Sequence, residues 1–261
     1  MGFKYLHLRL LITFFICQSI NSQIATSNFN NSIHYTTKDG LSSSIINSII
    51  EDEKGFLWVA TNKGVALFDG KHFTNYNFFT LNGVSQEIGF IEKIILDKSK
   101  KTLWLSGEKG VFYSSIDTIN IKKLNALSSI SKLPLEKTSI ILLEDQNTLW
   151  SSSNGKGLLK INITNKNYKN FIFKSPTKGD QTLLNSIGDI YKDPNNDSIL
   201  WLGTGAGLIR FNSISEEYQV FIYKNNSDLA QNLIRKIVVT KDLVFLGTWS
   251  EGLVVFNKKK T

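Results

Sequence analysis

An aromatic-led segment of one shape returns five times along this chain, and this repetition constrains the fold more than any other feature. Each copy starts with Trp or Phe, continues as a short apolar strand, turns at a Gly and ends in a second apolar strand. The copies begin at Trp58, Trp104, Trp150, Trp201 and Phe245, which are 46, 46, 51 and 44 positions apart. A period of this size with strand-like content is typical of β-propeller blades. The repetition therefore predicts an all-β propeller.

Each repeat contains enough strand-like segments for a four-stranded antiparallel blade. In the first copy, apolar runs 45–50, 56–61 and 65–69 and an outer strand at 73–76 are separated by turns rich in Gly, Asn and Asp. The glycine that ends the turn after the aromatic strand is expected to have a positive φ, which costs little only for Gly. We therefore predict five four-stranded blades, with the lead aromatics packed between neighbouring blades.

The two ends of the repeated region complement each other. The last repeat stops after Asn257 without an outer strand, whereas the segment 31–35 resembles the outer strand of other repeats but has no repeat in front of it. We expect this N-terminal strand to complete the last blade, which would remove the exposed edges of the sheet. The alternative is that the chain forms the front part of a larger ring.

The N-terminus has the layout of a secretory signal peptide. A start with Lys4 and Arg9 precedes an apolar stretch, 10–16, that is too short to span a bilayer, and polar residues follow. This predicts a signal peptide over residues 1–22 and a propeller domain over 23–261, in the periplasm or, alternatively, secreted. A retained anchor is the other interpretation. Cys17 is the single cysteine, so its removal with the leader would exclude disulfides and thiol chemistry.

Charge and composition exclude other classes of function. The formal net charge is +8, from 30 Lys and Arg against 22 Asp and Glu, but the basic residues are scattered over turns and strand ends. A nucleic-acid partner is therefore not expected, because such proteins gather Lys and Arg on one element. The 41% hydrophobic content and only three Pro indicate a folded core rather than a disordered chain.

The repeat resembles that of the two-component regulator propeller family. The residues that carry the resemblance are Gly40-Leu41-Ser42-Ser43, Gly55-Phe56-Leu57-Trp58, Phe68-Asp69-Gly70, Trp201-Leu202-Gly203-Thr204 and Gly207-Leu208, within a region that spans about 29–257. The middle repeats depart from the pattern, since Ser106 and Ser151 to Ser153 replace the usual Gly-Thr.

The resemblance implies the periplasmic sensor region of a hybrid histidine kinase, often one that detects carbohydrate fragments. The sequence printed here has five repeats and no kinase, receiver or second apolar span, so the signalling half of such a system is missing from it. The chain is therefore expected to be a truncated sensor, with its own missing signalling domains or another protein as partner. The alternative is a free-standing binding propeller for a glycan or a protein. A homodimer is compatible with both.

The sequence offers little for catalysis, and we predict that the chain is not an enzyme and binds no cofactor or metal. His34 and His72 stand apart without metal-ligand spacing, and no strand-elbow Ser or phosphate-binding Gly loop is present. The acidic pairs at 51–52 and 144–145 are expected to close turns. A small propeller lyase or hydrolase is the contrasting hypothesis, and it would require a cluster of His, Glu or metal on one rim.

Ligand-binding residues are expected where the loop between the second and third strands and the loop that leads into the first strand share one end of a blade. Trp249 is the most informative of them, because other repeats have a small or polar residue there, and an exposed indole beside polar groups suits a sugar. The predicted ligand site consists of Trp249, Glu251, Lys63, Asn62, Glu108, Asn154 and Lys156. An oligosaccharide or another small ligand is the expected occupant.

Overall fold

The computed structural model describes residues 32–124, 137–138, 140–165, 167–175, 181–222 and 233–259. The predicted signal peptide and Cys17 lie outside these residues. The described part from Tyr35 onward forms one compact unit. None of its helices is long and apolar enough to cross a membrane.

The secondary structure is almost entirely antiparallel strand, arranged as consecutive sheets in chain order. The first sheet contains β1 (Ile46–Glu51), β2 (Leu57–Thr61), β3 (Gly64–Phe68) and β4 (Phe73–Tyr76), and a hairpin of β5 (Phe78–Leu81) and β6 (Val84–Glu87) follows. The second sheet contains β7 (Ile91–Asp97), β8 (Thr102–Gly107), β9 (Gly110–Ser115) and β10 (Lys122–Lys123). The third contains β11 (Ile140–Leu143), β12 (Thr148–Ser152), β13 (Leu158–Asn162) and β14 (Asn167–Phe171).

A short helix, α1 (Gln181–Leu184), precedes the fourth sheet, which contains β15 (Ile187–Lys192), β16 (Ile199–Thr204), β17 (Gly207–Asn212) and β18 (Tyr218–Phe221). The fifth sheet contains β19 (Ile234–Val239), β20 (Leu243–Thr248) and β21 (Leu253–Asn257). In each sheet, neighbouring strands follow one another in the chain, so the meander read from the first repeat is confirmed.

The first strands of consecutive sheets pack against each other, β1 on β7, β7 on β11, β11 on β15 and β15 on β19. The first strand of each sheet is therefore innermost, and the sheets fan outward from it as in a β-propeller. Within the described residues, no comparable packing joins the fifth sheet to the first.

The lead tryptophans lie between sheets, as predicted. Trp58 packs with Ile91 and Ile94 of the second sheet, and Trp201 packs with Ile234 and Ile237 of the fifth. At 1% and 2% exposure, these two indoles are almost completely buried. Burying a large aromatic side chain is a major favourable term in a core, so the repeated Trp stabilises the packing between consecutive sheets.

Acidic residues in the first hairpin turns have the structural role that the sequence indicated. Asp52 accepts hydrogen bonds from the backbone N–H of Lys54 and Phe56 and from Trp58 Nε1, the last at 3.0 Å. Glu144 accepts from Trp150 Nε1 at 3.0 Å in the third sheet. The Asp52 carboxylate therefore closes its turn, and both carboxylates satisfy buried indole N–H groups, which would otherwise be costly to bury.

The prediction of five four-stranded blades holds for four sheets, because the described residues give the fifth sheet three strands. The N-terminal segment that was expected to complete it forms no strand over residues 32–36. Its Tyr35 ring instead packs on Phe68 at 5.0 Å and on Phe73 at 5.6 Å, both in the first sheet. Residue 31 of the predicted strand lies outside the described residues.

Candidate functional site

Loops from two origins meet at one end of the sheets, which we call the loop rim. It consists of the loops between the second and third strands of each sheet and the segments that lead into the first strands. Glu108 N–H donates to Phe90 O at 3.1 Å, Gly205 N–H to Ser186 O at 3.0 Å, and Trp249 N–H to Leu233 O at 3.0 Å. These bonds place both kinds of loop at one end, as the sequence predicted.

The first strands of four sheets carry a β-bulge just after their first residue. The bulged residues are Asn47, Glu92, Gly188 and Arg235. A bulge redirects one side chain relative to the regular alternation of a strand. Here it brings Glu92, Gly188 and Arg235 to cavities at the loop rim.

The larger cavity, of about 310 Å³, lies at the rim of the third to fifth sheets. Four apolar residues, two glycines and four polar side chains line it: Leu183, Ile187, Leu233, Ile234, Gly188, Gly205, Lys137, Asn154, Ser186 and Arg235. The Ser186 hydroxyl lies 2.9 Å from Asn154 Oδ1 and 2.9 Å from Thr182 O. The cavity thus combines an apolar lining with hydroxyl, amide and cationic groups, which is the composition of ligand sites in proteins.

Trp249 and Arg235 form a pair at this cavity. The Arg235 Cζ atom lies 4.7 Å from the Trp249 ring centroid, which is within the range of a cation–π contact. Trp249 is 63% exposed, whereas the other four tryptophans are at most 3% exposed. Among the described residues, Arg235 has no carboxylate in salt-bridge contact. The pair therefore offers an accessible indole and a guanidinium available to an anion.

A second cavity of about 300 Å³ lies at the rim between the second and third sheets. It is lined by Phe90, Glu92, Gly107, Glu108, Lys137 and Thr138. Lys137 also lines the larger cavity, and its N–H donates to Glu108 O at 2.8 Å. The two cavities are therefore neighbours, with Lys137 between them. They differ in charge because, among their described lining residues, only those of the second include carboxylates.

The structure brings together some of the predicted site residues and separates others. Asn154 lines the larger cavity, Trp249 stands beside its Arg235, and Glu108 lines the second cavity. Asn62 instead accepts a hydrogen bond from Asn47 Nδ2 at 3.1 Å in the first sheet. The exposed Lys63 and Lys156 and the half-buried Glu251 line neither of these cavities.

Sequence reasoning missed Arg235, Lys137 and Ser186. A signal for Arg235 was present, because each bulged first strand reads Ile followed by a residue that varies between repeats, and Arg at that position is unusual in this chain. Ser186 and Lys137 belong to the segments that lead into first strands, whose conformation the repeat pattern does not define.

An inner lysine lies deeper than the rim. Burial lowers the pKa of Lys93, the Asp189 carboxylate opposes that shift, and the Lys236 charge adds to it. Asp189 is itself buried and accepts a hydrogen bond from Ile237 N–H at 2.9 Å. The described residues contain no group of three His, Cys, Asp or Glu side chains that could hold a metal ion. The rim therefore has groups for binding at the larger cavity and two carboxylates, Glu92 and Glu108, at the second.

Residues 40–63 match the family model of the two component regulator propeller, which confirms the predicted resemblance. Two structures from B. thetaiotaomicron, each the extracellular domain of a putative hybrid two component system, superpose with TM-scores of 0.56 and 0.69 at 20% and 21% identity. They cover 87% and 89% of this chain, which matches 36% and 31% of theirs.

A third structure, the extracellular domain of a putative one component system from B. thetaiotaomicron, has a TM-score of 0.63 at 18% identity, over 85% of this chain and 27% of its own. The chain thus spans about a third or less of the length of these proteins. At such identities the likeness shows the fold, which is that of propeller-type extracellular domains. No curated protein matches the chain.

Proposed function

We propose that this chain is the ligand-binding part of an extracytoplasmic sensor related to two-component systems, located in the periplasm after export by its N-terminal segment. Support comes from the match of residues 40–63 to the two component regulator propeller and from the likeness to extracellular domains of putative two component systems. The transmitter would reside in another part of a longer protein or in a partner.

The larger rim cavity is the proposed ligand site, and the observation that carries it is the exposed Trp249 ring with Arg235 at 4.7 Å. A flat aromatic face suits a sugar ring, and the hydroxyl of Ser186 and the amide of Asn154 suit its hydroxyl groups. Among the described residues that line this cavity, the charged ones are Lys137 and Arg235, both cationic. We therefore propose an oligosaccharide that carries a carboxylate, such as one containing uronic acid.

Tryptophan fluorescence offers a direct test, since Trp249 is the only exposed indole of the five. Uronic-acid oligosaccharides and their neutral, carboxyl-reduced counterparts would be titrated into the full chain, with calorimetry as a second readout. The acidic series should change the fluorescence and the neutral series should bind more weakly. A hydrogen bond to a charged group contributes about 1.5–3 kcal/mol, so Arg235→Met should weaken acidic binding about tenfold or more.

Arg210→Met is the matched control, because Arg210 is an exposed arginine on β17 that lines neither rim cavity. It should leave the affinity unchanged, and Trp249→Ala should remove both the binding and the fluorescence change without lowering Tm. If no acidic oligosaccharide binds, or if Arg235→Met and Arg210→Met bind equally well, the proposed site is wrong.

A further inference from the structure

Consecutive sheets meet through two different faces. We call the side of a sheet that packs on the following sheet its trailing face, and the side that packs on the preceding sheet its leading face. Trp150 of the third sheet packs with Ile187 and Ile190 of the fourth, and Trp201 of the fourth packs with Ile234 and Ile237 of the fifth. The same positions therefore meet at successive interfaces, which allows each sheet to be compared with its equivalents.

The trailing face of the fifth sheet is exposed where its equivalents are buried. Leu253, the first residue of β21, is 67% exposed. Its equivalents in the first four sheets are 0%, 0%, 0% and 1% exposed; they are Val65, Val111, Leu158 and Leu208. Val255 on the same strand is 52% exposed and lies opposite Phe245, the lead aromatic of this repeat. This sheet presents an apolar face of the kind that the other four sheets cover.

The leading face of the first sheet is likewise exposed where its equivalents are buried. Ile49 on β1 is 57% exposed, whereas its equivalents in the later sheets are 2%, 0%, 4% and 3% exposed; they are Ile94, Ile141, Ile190 and Ile237. Ile46 is 39% exposed, and its equivalents Ile91, Ile187 and Ile234 are at most 3% exposed. One chain therefore carries both halves of an inter-sheet interface, unfilled, at opposite ends of its series of sheets.

The fifth sheet also lacks an outer strand within the described residues. A Cβ atom on Gly157 or Gly207 would lie 2.1 or 2.5 Å from a carbonyl oxygen of the neighbouring outer strand. Gly252 is the equivalent glycine of the fifth sheet, and a Cβ atom there would meet nothing within 4 Å. Among the described residues no fourth strand lies beside β21, so this edge is open where the other sheets have their fourth strand. Open edges favour pairing with another chain.

Tyr35 takes the place of an outer-strand aromatic in front of the first sheet. Its ring lies 5.0 Å from Phe68, just as the outer-strand ring of Phe221 lies 4.7 Å from Phe256 at the interface of the fourth and fifth sheets. Tyr35 therefore holds the position of an outer-strand residue of a sheet in front of the first. The described residues contain no other part of such a sheet.

We propose that two copies of this chain associate head to tail, with the trailing face of the fifth sheet of one copy packed on the leading face of the first sheet of the other. Tyr35 of the second copy would then lie beside β21, where an outer-strand residue of the fifth sheet would be. Such a heterologous contact uses two different surfaces, so it produces a closed ring or an open chain of copies rather than a twofold patch.

Light scattering after size exclusion, on the full chain over a wide range of concentration, tests the proposal. The wild-type chain should form species of two or more copies. Leu253→Glu and Ile49→Glu each place a charge in the proposed contact, so each should limit assembly and lower the mean mass. Val84→Glu is the control, since Val84 is equally apolar and 59% exposed but lies on the separate hairpin strand β6. It should assemble like the wild type.

Mixing the two single variants distinguishes head-to-tail association from a symmetric dimer. In the double variant Leu253→Glu/Ile49→Glu, both faces are blocked and the chain should be a monomer. When the two single variants are mixed, one intact trailing face and one intact leading face remain, so a complex of one copy of each should form. Circular dichroism would confirm that each variant is folded, and Val255→Lys provides a second disruption of the trailing face.

A wild-type chain that is monomeric at all concentrations would overturn the proposal, and it would favour closure within one chain or coverage by further sheets. Assembly that persists in the double variant would overturn it as well. Neither result depends on the rim cavity, so this test and the test of the sugar site can fail separately.

Discussion

Replacing Lys258 by Met tests whether the end of β21 is anchored on the fourth sheet by a buried ion pair. Lys258 Nζ lies 2.7 Å from Asp193 Oδ2, and the two side chains are only 12% and 7% exposed. The same carboxylate accepts a hydrogen bond from Trp201 Nε1 at 2.7 Å and another from Asn195 N–H at 2.9 Å. Removing the lysine would leave a buried carboxylate without its counter-charge.

The loss of stability expected in Lys258→Met depends on the hydrogen bonds that Asp193 keeps. Breaking a buried ion pair by removing one partner typically costs about 3–5 kcal/mol. Because Trp201 and Asn195 still donate to the carboxylate, we expect the lower loss of one charged hydrogen bond, about 2–3 kcal/mol. For a chain of this size that corresponds to a fall in Tm of roughly 4–12 °C.

Lys259→Met is the matched control at the neighbouring position. Lys259 Nζ lies 2.8 Å from Asp242 Oδ1, but those side chains are 73% and 43% exposed. An exposed pair contributes only about 0–1 kcal/mol. Urea denaturation of the wild type and both variants at neutral pH would measure the two free energies of unfolding. Equal losses in the two variants would refute the idea that burial gives the Lys258 pair its importance.

The pH dependence of the stability difference between the wild type and Lys258→Met is a second test of the buried ion pair. Burial acts to raise the pKa of Asp193, but hydrogen bonds from Lys258 and Trp201 outweigh it, and the pKa lies below its ordinary value of 3.8. A carboxyl with a lowered folded-state pKa stabilises the fold above its unfolded pKa and loses this contribution as the pH falls through the folded pKa. The advantage of the wild type over Lys258→Met should therefore be complete at neutral pH and shrink below about pH 4.

Two further perturbations follow from the backbone and from the inner strands. Gly157→Ala should lower the free energy of unfolding, measured in urea, clearly more than Gly252→Ala. Both glycines have positive φ, +80° and +70°, which costs about 1–2 kcal/mol for Ala at either position, but only at Gly157 would the added Cβ atom lie 2.1 Å from a carbonyl oxygen. Equal losses in the two variants would show that the outer strand moves away from the new methyl group. Lys93→Met should raise Tm at neutral pH, since burial lowers the pKa of Lys93 and the protonated form therefore costs stability. This gain in Tm should disappear as the pH rises through the lowered pKa towards 10.5. A gain in Tm that does not depend on pH would point to packing instead.

The repeat alone was sufficient to predict the sheets, because each blade is specified locally. The glycines that end the second-to-third loops were predicted to need positive φ, and the values at 64, 110, 157, 207 and 252 are +99°, +116°, +80°, +140° and +70°. A turn that recurs in every repeat can be predicted from sequence, since the residues that determine its conformation lie within a few positions of one another. The buried tryptophans were predictable for the same reason.

The ligand site was predicted less well, because it depends on contacts between repeats. Trp249 was identified as the unusual residue of its loop, but its partner Arg235 comes from the bulge of another strand, 14 positions earlier in the sequence. A bulge inserts one residue and reverses the side to which it points, so simple alternation along β19 gives the wrong direction for this side chain. The inclusion of Lys63 and Lys156 rested on loop position alone, and neither lines a described rim cavity.

The end of the fifth sheet contains one contact that the repeat pattern does not predict, the ion pair of Lys258 with Asp193. Lys258 begins a run of three lysines, and nothing in such a run shows which one meets a carboxylate 65 positions away. Its burial fixes the C-terminal end of β21 on the fourth sheet, while Leu253 at the other end of that strand stays exposed. A strand that is held firmly at one end, with an open edge and an apolar face, is already ordered for docking, so little conformational entropy remains to be lost when another sheet packs on it. The ion pair should therefore contribute to head-to-tail association as well as to stability, and Lys258→Met should weaken assembly even though Lys258 lies outside the proposed contact.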